Sequence, residues 1–248
     1  MRITLQLHPD WPFRGELVIE SLARDGKYRS QFETGTSNGG LTAHPGGDRW
    51  RWESRIFEGR YDAGEAAARP VYGALDRHDD PYGGSPRFGS CYLVVRDHVR
   101  QRSTFCFPDS VFEPTAIGGP DRIPELVALA DAARHDYLDD YVEAHVHGGL
   151  ALDRDVERLV LDPCFRGGPV EEAARAMPCR VDWHPGFRVE TAGLDPGYRG
   201  AEYVALARSL GDVLTPAVVG AAARAGRHDP QALKRVWHLL ARFGRTGR

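Results

Sequence analysis

Residues 141–150 read YVEAHVHGGL, and the rest of the fold can be worked outward from this stretch. Apolar and polar residues alternate through it, which predicts a β-strand with one apolar and one polar face. Glu143, His145 and His147 then share the polar face. A solvated sheet face would be expected to mix Lys, Arg and Thr, so a glutamate followed by two histidines indicates a functional site.

Other segments in the first two thirds of the chain have strand-like or helix-like patterns. Short alternating or apolar runs predict about seven strands, at residues 1–7, 27–34, 70–75, 88–95, 103–107, 141–146 and 156–163. Helical spacing predicts helices at residues 15–26, 49–59 and 123–141. Asp48 is the expected cap of the second helix. The chain has no regular β-α-β alternation and no GxGxxG or GxxxxGK motif, which argues against Rossmann and P-loop folds.

Beyond Pro163 the pattern becomes helical. Helix-like spacing occurs at residues 171–177, 201–210, 215–225 and 229–243. Thr215-Pro216 and Asp229-Pro230 are typical helix starts. The sequence therefore predicts an α+β fold in two parts: a catalytic core at residues 1–163, and a helical extension at residues 164–248 that packs on the core.

Composition limits the class of protein. The chain has 248 residues, of which 42% are apolar, so one large core can form. The formal net charge of −3 gives no field that would draw the whole molecule to nucleic acid or to an anionic membrane. The four cysteines are widely separated and form no CxxC motif. The sequence shows neither a signal core nor an apolar run of about 18 residues, which predicts no membrane contact. A cytoplasmic protein is expected, or one that a dedicated system secretes without a signal peptide.

One interpretation of the polar face is a metal site. His145 and His147 offer nitrogen ligands that suit zinc or iron, and the protein would then be a metal-dependent hydrolase. The coordination sphere would be completed by His8, Asp10 or His44. Alternate residues on a strand are about 6.5–7 Å apart, so Glu143 at the far end would have difficulty in reaching an ion that both histidines bind.

A second interpretation makes Glu143 a catalytic carboxylate, with His145 as a neighbour that orients the substrate. Cleavage of an N-glycosidic bond needs such a carboxylate, because it stabilises the oxocarbenium-like ribose and steers the incoming nucleophile. Nicotinamide in NAD is already cationic, so its departure needs little help from an acid. A third interpretation is a binding module without catalytic activity.

Four segments carry a resemblance to known proteins. They are YRSQFETGTSNGGLTAHPGGDRWRWESRIFEGRYD, ARPVYGALDR, GSPRFGSCYLVV and VEAHVHGGLALDRDVERLVLDP. Together they resemble a bacterial family of unknown function that occurs alone and in polymorphic toxins, and their motif order resembles the ADP-ribosyltransferase superfamily. The resemblance implies a split β-sheet core, NAD as substrate, and activity as an ADP-ribosyltransferase or NAD glycohydrolase. It also implies a role as a toxin or effector.

The superfamily places an arginine, a serine and a glutamate around NAD, and the matching positions are Arg29, Ser90 and Glu143. By this resemblance Arg29 would anchor NAD and Ser90 would support Glu143 by hydrogen bonding. Tyr72 would offer a flat ring near nicotinamide. Arginine-specific members have Gln or Glu two residues before the catalytic glutamate, where this chain has Tyr141. The expected acceptor of ADP-ribose is therefore water, or a group other than protein arginine.

Two alternatives remain within this resemblance. The histidine-tyrosine-glutamate branch of the superfamily would be matched by His8, Tyr72 and Glu143. Ser37 in the GTSNGG loop competes with Ser90 as the supporting serine, although this loop reads better as a turn whose amides face phosphate or ribose. The expected NAD contacts therefore also include three residues of this loop, Ser37, Asn38 and Gly39.

The end of the chain is basic. Residues 224–248 contain seven basic residues and one acid, a net charge of +6. Such a segment could contact RNA or an acidic partner, or its arginines could simply be solvated. The expected partners are NAD, a macromolecular acceptor that is protein or RNA, and an immunity protein or antitoxin if the protein is a toxin.

Overall fold

A computed structural model gives the fold and describes residues 1–35 and 42–246. The strands are β1 (Arg2–Leu7), β2 (Pro12–Phe13), β3 (Glu16–Leu17), β4 (Lys27–Tyr28), β5 (Val71–Asp76), β6 (Cys91–Val95), β7 (Ser103–Phe107), β8 (Ala116–Gly118), β9 (Val142–Val146), β10 (Leu150–Ala151), β11 (Val156–Leu161), β12 (Arg180–Trp183), β13 (Val189–Glu190) and β14 (Val213–Leu214). The helices are α1 (Val18–Asp25), α2 (Gln31–Thr34), α3 (Asp48–Ile56), α4 (Ile123–Ala132), α5 (Leu152–Asp155), α6 (Pro169–Arg175), α7 (Ala201–Leu210), α8 (Pro216–Ala225) and α9 (Pro230–Phe243).

Eight strands of the described residues join in one sheet, in the order β12-β11-β6-β1-β5-β9-β7-β8. Neighbouring strands run antiparallel, except that β11 and β12 are parallel. β9, which carries the EAHV motif, lies in the interior of the sheet between β5 and β7. The predicted α+β class is confirmed. The sheet core that the resemblance implied is present, as one sheet of eight strands.

Most predicted elements form where the sequence places them, but the strand predicted at residues 27–34 ends at its second residue. The rest of that segment begins α2, because Ser30 and Glu33 form a capping box. The Glu33 amide donates to Ser30 Oγ at 3.1 Å, and the Ser30 amide donates to the Glu33 carboxylate at 2.9 Å. Arg29 therefore lies between a short strand and a helix, and it is not on a strand as the sequence predicts.

The sheet has one apolar and one polar face. The apolar residues of β9 lie in the main hydrophobic core, together with residues of α1, α4 and α6. Glu143 and His145 point to the other face, as the alternation predicts, and both are buried there. They are covered by α3, whose Trp52 ring lies 5.1 Å from the His145 ring. Asp48 is the first residue of α3, and Gly47 takes the cap position predicted for Asp48.

The C-terminal part packs closely on the rest of the chain. Helices α7, α8 and α9 surround a second core that contains the buried Trp237. Trp237 Nε1 donates to the backbone oxygens of Pro86 and Arg87, both at 3.0 Å. Strand β12, which the sequence does not predict, extends the sheet across the proposed boundary at residue 163, so the division into two domains stays a prediction. No helix of the described residues is both long and apolar enough to cross a bilayer.

A close approach joins α8 to the segment after β1. A Cβ added at Gly220 would come 1.8 Å from Asp10 Oδ2. The Asp10 carboxylate also accepts a hydrogen bond from Arg224 Nη1 at 2.8 Å. Arg224 of the same helix thus holds the Asp10 carboxylate against Gly220, so any side chain at position 220 would displace the carboxylate.

We expect Gly220→Ala to lower the free energy of unfolding by about 1–3 kcal/mol, the range for overpacking a tight contact, although alanine is the better helix former. Gly193→Ala is the matched control, since no atom of the residues that the structure describes lies within 4 Å of a Cβ at that position. Urea denaturation followed by circular dichroism gives the comparison. Equal midpoints for the two variants would contradict the close packing of α8 on Asp10.

Candidate active site

A cavity of about 690 Å³ lies on the polar face of the sheet. Sites for small ligands typically have volumes of about 300–1,000 Å³. The wall is built from β1, β5 and β9, from the turn after β7, from the segments around α1 and α3, and from the start of α9. Its polar and aromatic members include His8, Arg49, Tyr72, Ser110, Tyr141 and Glu143.

Glu143 is a carboxylate in the wall of this cavity, and only 6% of its surface is exposed. Its Oε1 accepts a hydrogen bond from His145 Nε2 at 2.9 Å, and its Oε2 accepts one from Ser110 Oγ at 3.1 Å. Burial alone would raise the pKa of Glu143, but the hydrogen bond and charge interaction with His145, the charge of Arg49 and the hydrogen bond from Ser110 bring it below its ordinary value. Glu143 is therefore ionised at neutral pH.

Hydrogen bonds continue behind Glu143 through three more side chains. Thr104 Oγ1 lies 3.0 Å from His145 Nδ1 and 3.0 Å from His147 Nε2. The Tyr61 hydroxyl lies 2.6 Å from His147 Nδ1. The register of β7 against β9 produces this arrangement, since Thr104 lies directly opposite His145. Burial, with positive charges nearby, lowers the pKa of His147 to about 4, so this ring is neutral at pH 7.

Arg49 brings a buried positive charge to the cavity, with 2% of its surface exposed. Its Nη1 donates to Ser110 Oγ at 2.6 Å, and its guanidinium lies 4.1 Å from the centre of the Tyr72 ring. Its Nε has no hydrogen-bond partner, and within the described parts of the chain Arg49 forms no ion pair with a carboxylate. A guanidinium in this state is suited to bind an anionic group.

The turn after β7 holds Ser110 in place. Asp109 is the cap of this turn, and its Oδ1 accepts a hydrogen bond from the Val111 amide at 3.0 Å. The Tyr141 hydroxyl donates to Asp109 Oδ2. Burial raises the pKa of Asp109. This turn thereby fixes the Ser110 hydroxyl. The hydroxyl accepts a hydrogen bond from the Arg49 guanidinium and donates one to the Glu143 carboxylate.

Aromatic rings form another part of the wall. His8, directly after β1, stacks on Trp11 with the ring centroids 4.4 Å apart. Burial, with the charge of Lys234, lowers the pKa of His8 to about 3, so this ring is neutral. The Tyr72 ring lies beneath the guanidinium of Arg49, and one of its faces is therefore already occupied.

The structure brings some of the predicted residues together and separates others. His8, Tyr72 and Glu143 line the same cavity, as the histidine-tyrosine-glutamate alternative expects. Ser90 is buried outside the cavity wall, and its hydroxyl contacts the thiol of the next residue at 3.7 Å, not Glu143. Ser110 makes the hydrogen bond to Glu143 that the sequence assigns to Ser90, because Ser90 directly precedes β6, which is not adjacent to β9.

Two other predicted residues, Arg29 and His145, differ in whether they reach the cavity. Arg29 lines the cavity, but its guanidinium pairs with Asp25 and donates to Ser21 Oγ at 2.9 Å. His145 is fully buried behind Glu143 and is not part of the cavity wall, so it acts on Glu143 and not on a ligand. The predicted NAD contacts that lie outside the described residues are Ser37, Asn38 and Gly39.

One group of three metal-binding side chains occurs within residues 1–35 and 42–246. Cys106 Sγ, Glu143 Oε1 and His145 Nε2 all lie within 4.8 Å of one another. Two of these atoms already share a hydrogen bond, and burial raises the pKa of the Cys106 thiol well above its ordinary value. The pair predicted from the sequence, His145 and His147, does not face a common ion, because the Thr104 hydroxyl lies between their facing nitrogens.

The sequence does not single out Arg49, Ser110 or Thr104. Thr104 has a usable signal, since the alternation of STFCF puts Thr104 and Cys106 on one face, and antiparallel pairing with residues 142–146 would place that face beside Glu143. Arg49 and Ser110 have none, because an arginine in the first turn of a helix and a serine in a turn are common surface features.

Comparison with known proteins gives a family and two phage relatives. A family model described as a protein of unknown function (DUF3626) matches residues 2–132 and 121–243. The Gene 2 protein of Mycobacterium phage D29 is 26% identical over 165 residues, which are 57% of this chain and 60% of that protein. The Gene 2 protein of Mycobacterium phage L5 is 24% identical over 163 residues, 56% and 59% of the two chains. The chain thus spans about 60% of the length of these relatives.

Two solved structures also resemble the chain. Both are DarT from Thermus sp. 2.9, one in complex with NAD+ and the other in complex with ADP-ribosylated ssDNA. Each is 13% identical to this chain and covers 73% of it, with a TM-score of 0.43. The matched region covers 94% of DarT in the first complex and 93% in the second. Similarity at this level assigns no role to any residue.

We expect Ser110→Ala to lower the free energy of unfolding by about 1–3 kcal/mol, because a buried, ionised carboxylate loses one of its donors. Ser90→Ala is the matched control: it also removes a buried hydroxyl, but one with only a long contact to a thiol, at 3.7 Å. Urea denaturation at pH 7 compares the two. An equal loss in both variants would contradict the role of Ser110 as the partner of Glu143.

Proposed function

The chain belongs to the DUF3626 family of proteins of unknown function, and from its cavity we propose that it is an NAD-consuming enzyme, either an ADP-ribosyltransferase or an NAD glycohydrolase. One observation carries the proposal: an ionised glutamate, Glu143, stands in the wall of a cavity of ligand-binding size. Both of its oxygens are held by donors that belong to the protein.

Glu143 supplies the charge that this reaction needs. When the bond between ribose and nicotinamide breaks, positive charge develops on the ribose, and a fixed carboxylate stabilises it. Nicotinamide leaves as a neutral molecule, so no acid has to protonate it. Because His145 and Ser110 fix the carboxylate before any substrate binds, little reorganisation is needed at the moment of bond cleavage.

Arg49 is the proposed anchor for the diphosphate of NAD, in the role that the sequence gives to Arg29. The Arg49 guanidinium is buried at the cavity and has no carboxylate partner among the described residues, whereas Arg29 is paired with Asp25. The planar fork of a guanidinium matches the oxygens of a phosphate. Arg29 remains in the cavity wall as a second contact.

The flat rings of NAD have partners in this cavity. Its aromatic wall includes Trp11, Phe13, Tyr28 and Phe88. Adenine and nicotinamide can pack against such rings. His8, which is neutral, offers one donor and one acceptor nitrogen to a ribose hydroxyl. These contacts support the histidine-tyrosine-glutamate arrangement over the one that uses Ser90.

The acceptor of ADP-ribose is proposed to be water or a macromolecule, with protein, RNA and single-stranded DNA as the classes to test. Tyr141 stands where arginine-specific enzymes have Gln or Glu, and its hydroxyl is engaged by Asp109. This contact supports an acceptor other than protein arginine. His228, just before α9, and Lys234, within α9, belong to the cavity wall, which supports an anionic acceptor.

Nicotinamide release from NAD by the purified protein tests the proposal. We expect Glu143→Gln to lower the rate by about 10²–10³-fold or more, because the fixed charge at the ribose is lost. Glu113→Gln is the control, since it makes the same change in a side chain that is 75% exposed and outside the cavity wall. This variant should retain the full rate.

Three results would contradict the proposal in different ways. No release from NAD, even with cell lysate and single-stranded DNA added as acceptors, excludes NAD as the substrate. Equal rates in the wild type and Glu143→Gln remove Glu143 from the mechanism. A rate abolished by EDTA supports a metal-dependent enzyme instead. NAD labelled in the adenylate phosphate shows whether ADP-ribose goes to water or stays on a macromolecule.

A further inference from the structure

We infer that Thr104, His147 and Tyr61 are positioning residues, which hold His145 in a single tautomer through a one-way chain of hydrogen bonds that ends on Glu143. The effect of this chain on catalysis rests on the proposed function of Glu143. The chain itself is argued from geometry and from the number of protons that its members carry.

The chain joins five side chains by four contacts. Tyr61 Oη lies 2.6 Å from His147 Nδ1, and His147 Nε2 lies 3.0 Å from Thr104 Oγ1. Thr104 Oγ1 lies 3.0 Å from His145 Nδ1, and His145 Nε2 lies 2.9 Å from Glu143 Oε1. All four distances are those of ordinary hydrogen bonds.

The proton count fixes the direction of the first two bonds. The ionised carboxylate of Glu143 can only accept, so His145 must donate through Nε2. Our inference takes His145 as the neutral imidazole, which then has no proton on Nδ1. The bond at Nδ1 therefore requires a donor, and Thr104 supplies it.

The same count fixes the other two bonds. Thr104 has a single hydroxyl proton, and His145 receives it, so the Thr104 oxygen must accept from His147 Nε2. The neutral His147 then has no proton on Nδ1 and accepts from the Tyr61 hydroxyl. Four protons satisfy four bonds, and every donor points toward Glu143.

Both rings are buried among apolar side chains. His145 has 0% of its surface exposed and His147 has 8%. The Trp52 ring lies 5.1 Å from His145, and the Phe57 ring lies 5.0 Å from His147. Burial against apolar rings disfavours the charged imidazole. His145 in its charged form, and the cations Arg60 and Arg102, face His147 and disfavour the charged form of His147 further.

The direction of the chain matters because an imidazole in water exchanges between two tautomers. With the proton on Nε2, His145 stabilises the carboxylate of Glu143. With the proton on Nδ1, a bare nitrogen would face the carboxylate oxygen at 2.9 Å and repel it. The bond at one ring nitrogen decides which tautomer is present, so the Thr104 hydroxyl keeps the proton on the side of Glu143.

Nitrogen-15 chemical shifts of His145 at pH 7.5 test the chain without any substrate. We expect a neutral ring with the proton on Nε2 in the wild type and in Thr104→Ser, which keeps the hydroxyl. Thr104→Val, which has a similar shape, should give a mixture of both tautomers. An imidazolium ring or an Nδ1 proton in the wild type would overturn the inference, and so would an unchanged tautomer in Thr104→Val.

Nicotinamide release gives a second readout. Thr104→Val should lower kcat by about tenfold or more, the factor that one hydrogen bond to a charged group provides, with KM little changed. Thr104→Ser should recover most of the loss, and equal kcat values for the two variants would contradict the inference. If Thr104→Val does not fold, Tyr61→Phe removes the first donor of the chain and should also give mixed His145 tautomers. Should the wild type not cleave NAD at all, the proposed function fails, while the nitrogen shifts still decide whether the chain exists.

Discussion

The rest of the site depends on one negative charge that is buried in the interior of a β-sheet. Glu143 lies on β9 with strands on both sides and α3 over its face, so water cannot solvate it from most directions. A buried charge without partners is very costly, and each oxygen of this carboxylate therefore needs a donor. Ser110 and His145 are those donors, and each is held in turn by a further group, Arg49 and Thr104. The polar network grows outward from Glu143 for this reason.

The two oxygens of Glu143 are held by networks of different character. The network behind Oε1 consists of imidazole and hydroxyl groups, runs beneath Trp52 of α3 and the adjoining Phe57, and ends at Tyr61. The network at Oε2 leads through one hydroxyl to the charged guanidinium of Arg49, whose Nε has no hydrogen-bond partner among the described residues. Positive and negative charge therefore stand next to each other at the cavity. A ligand that develops positive charge at one point and carries negative charge at another, as NAD does, matches this pair better than a ligand with one kind of charge.

The alternation of YVEAHV is enough to place Glu143 on a polar face beside His145, because a strand has only one periodicity. The α+β class follows from the same kind of pattern. The partners of Glu143 cannot be obtained in this way, since they come from a neighbouring strand and a distant turn. Ser90 fits the expected position of a supporting serine along the chain, yet β1 and β5 lie between its strand and β9. At residues 27–34 the alternation misleads, because a local capping box starts a helix within it.

The proton on His145 Nε2 also separates the two chemistries that this cluster could support. A metal ion binds a histidine nitrogen only in the absence of a proton. If Nε2 bound a metal together with Cys106 and Glu143, the proton would move to Nδ1, Thr104 would have to accept it, and every bond as far as Tyr61 would reverse. Burial raises the pKa of the Cys106 thiol well above its ordinary value, so a metal bound there would also have to displace the thiol proton. The protonated thiol and a chain that points toward Glu143 both leave this carboxylate free of a metal, which is the arrangement that the proposed function uses.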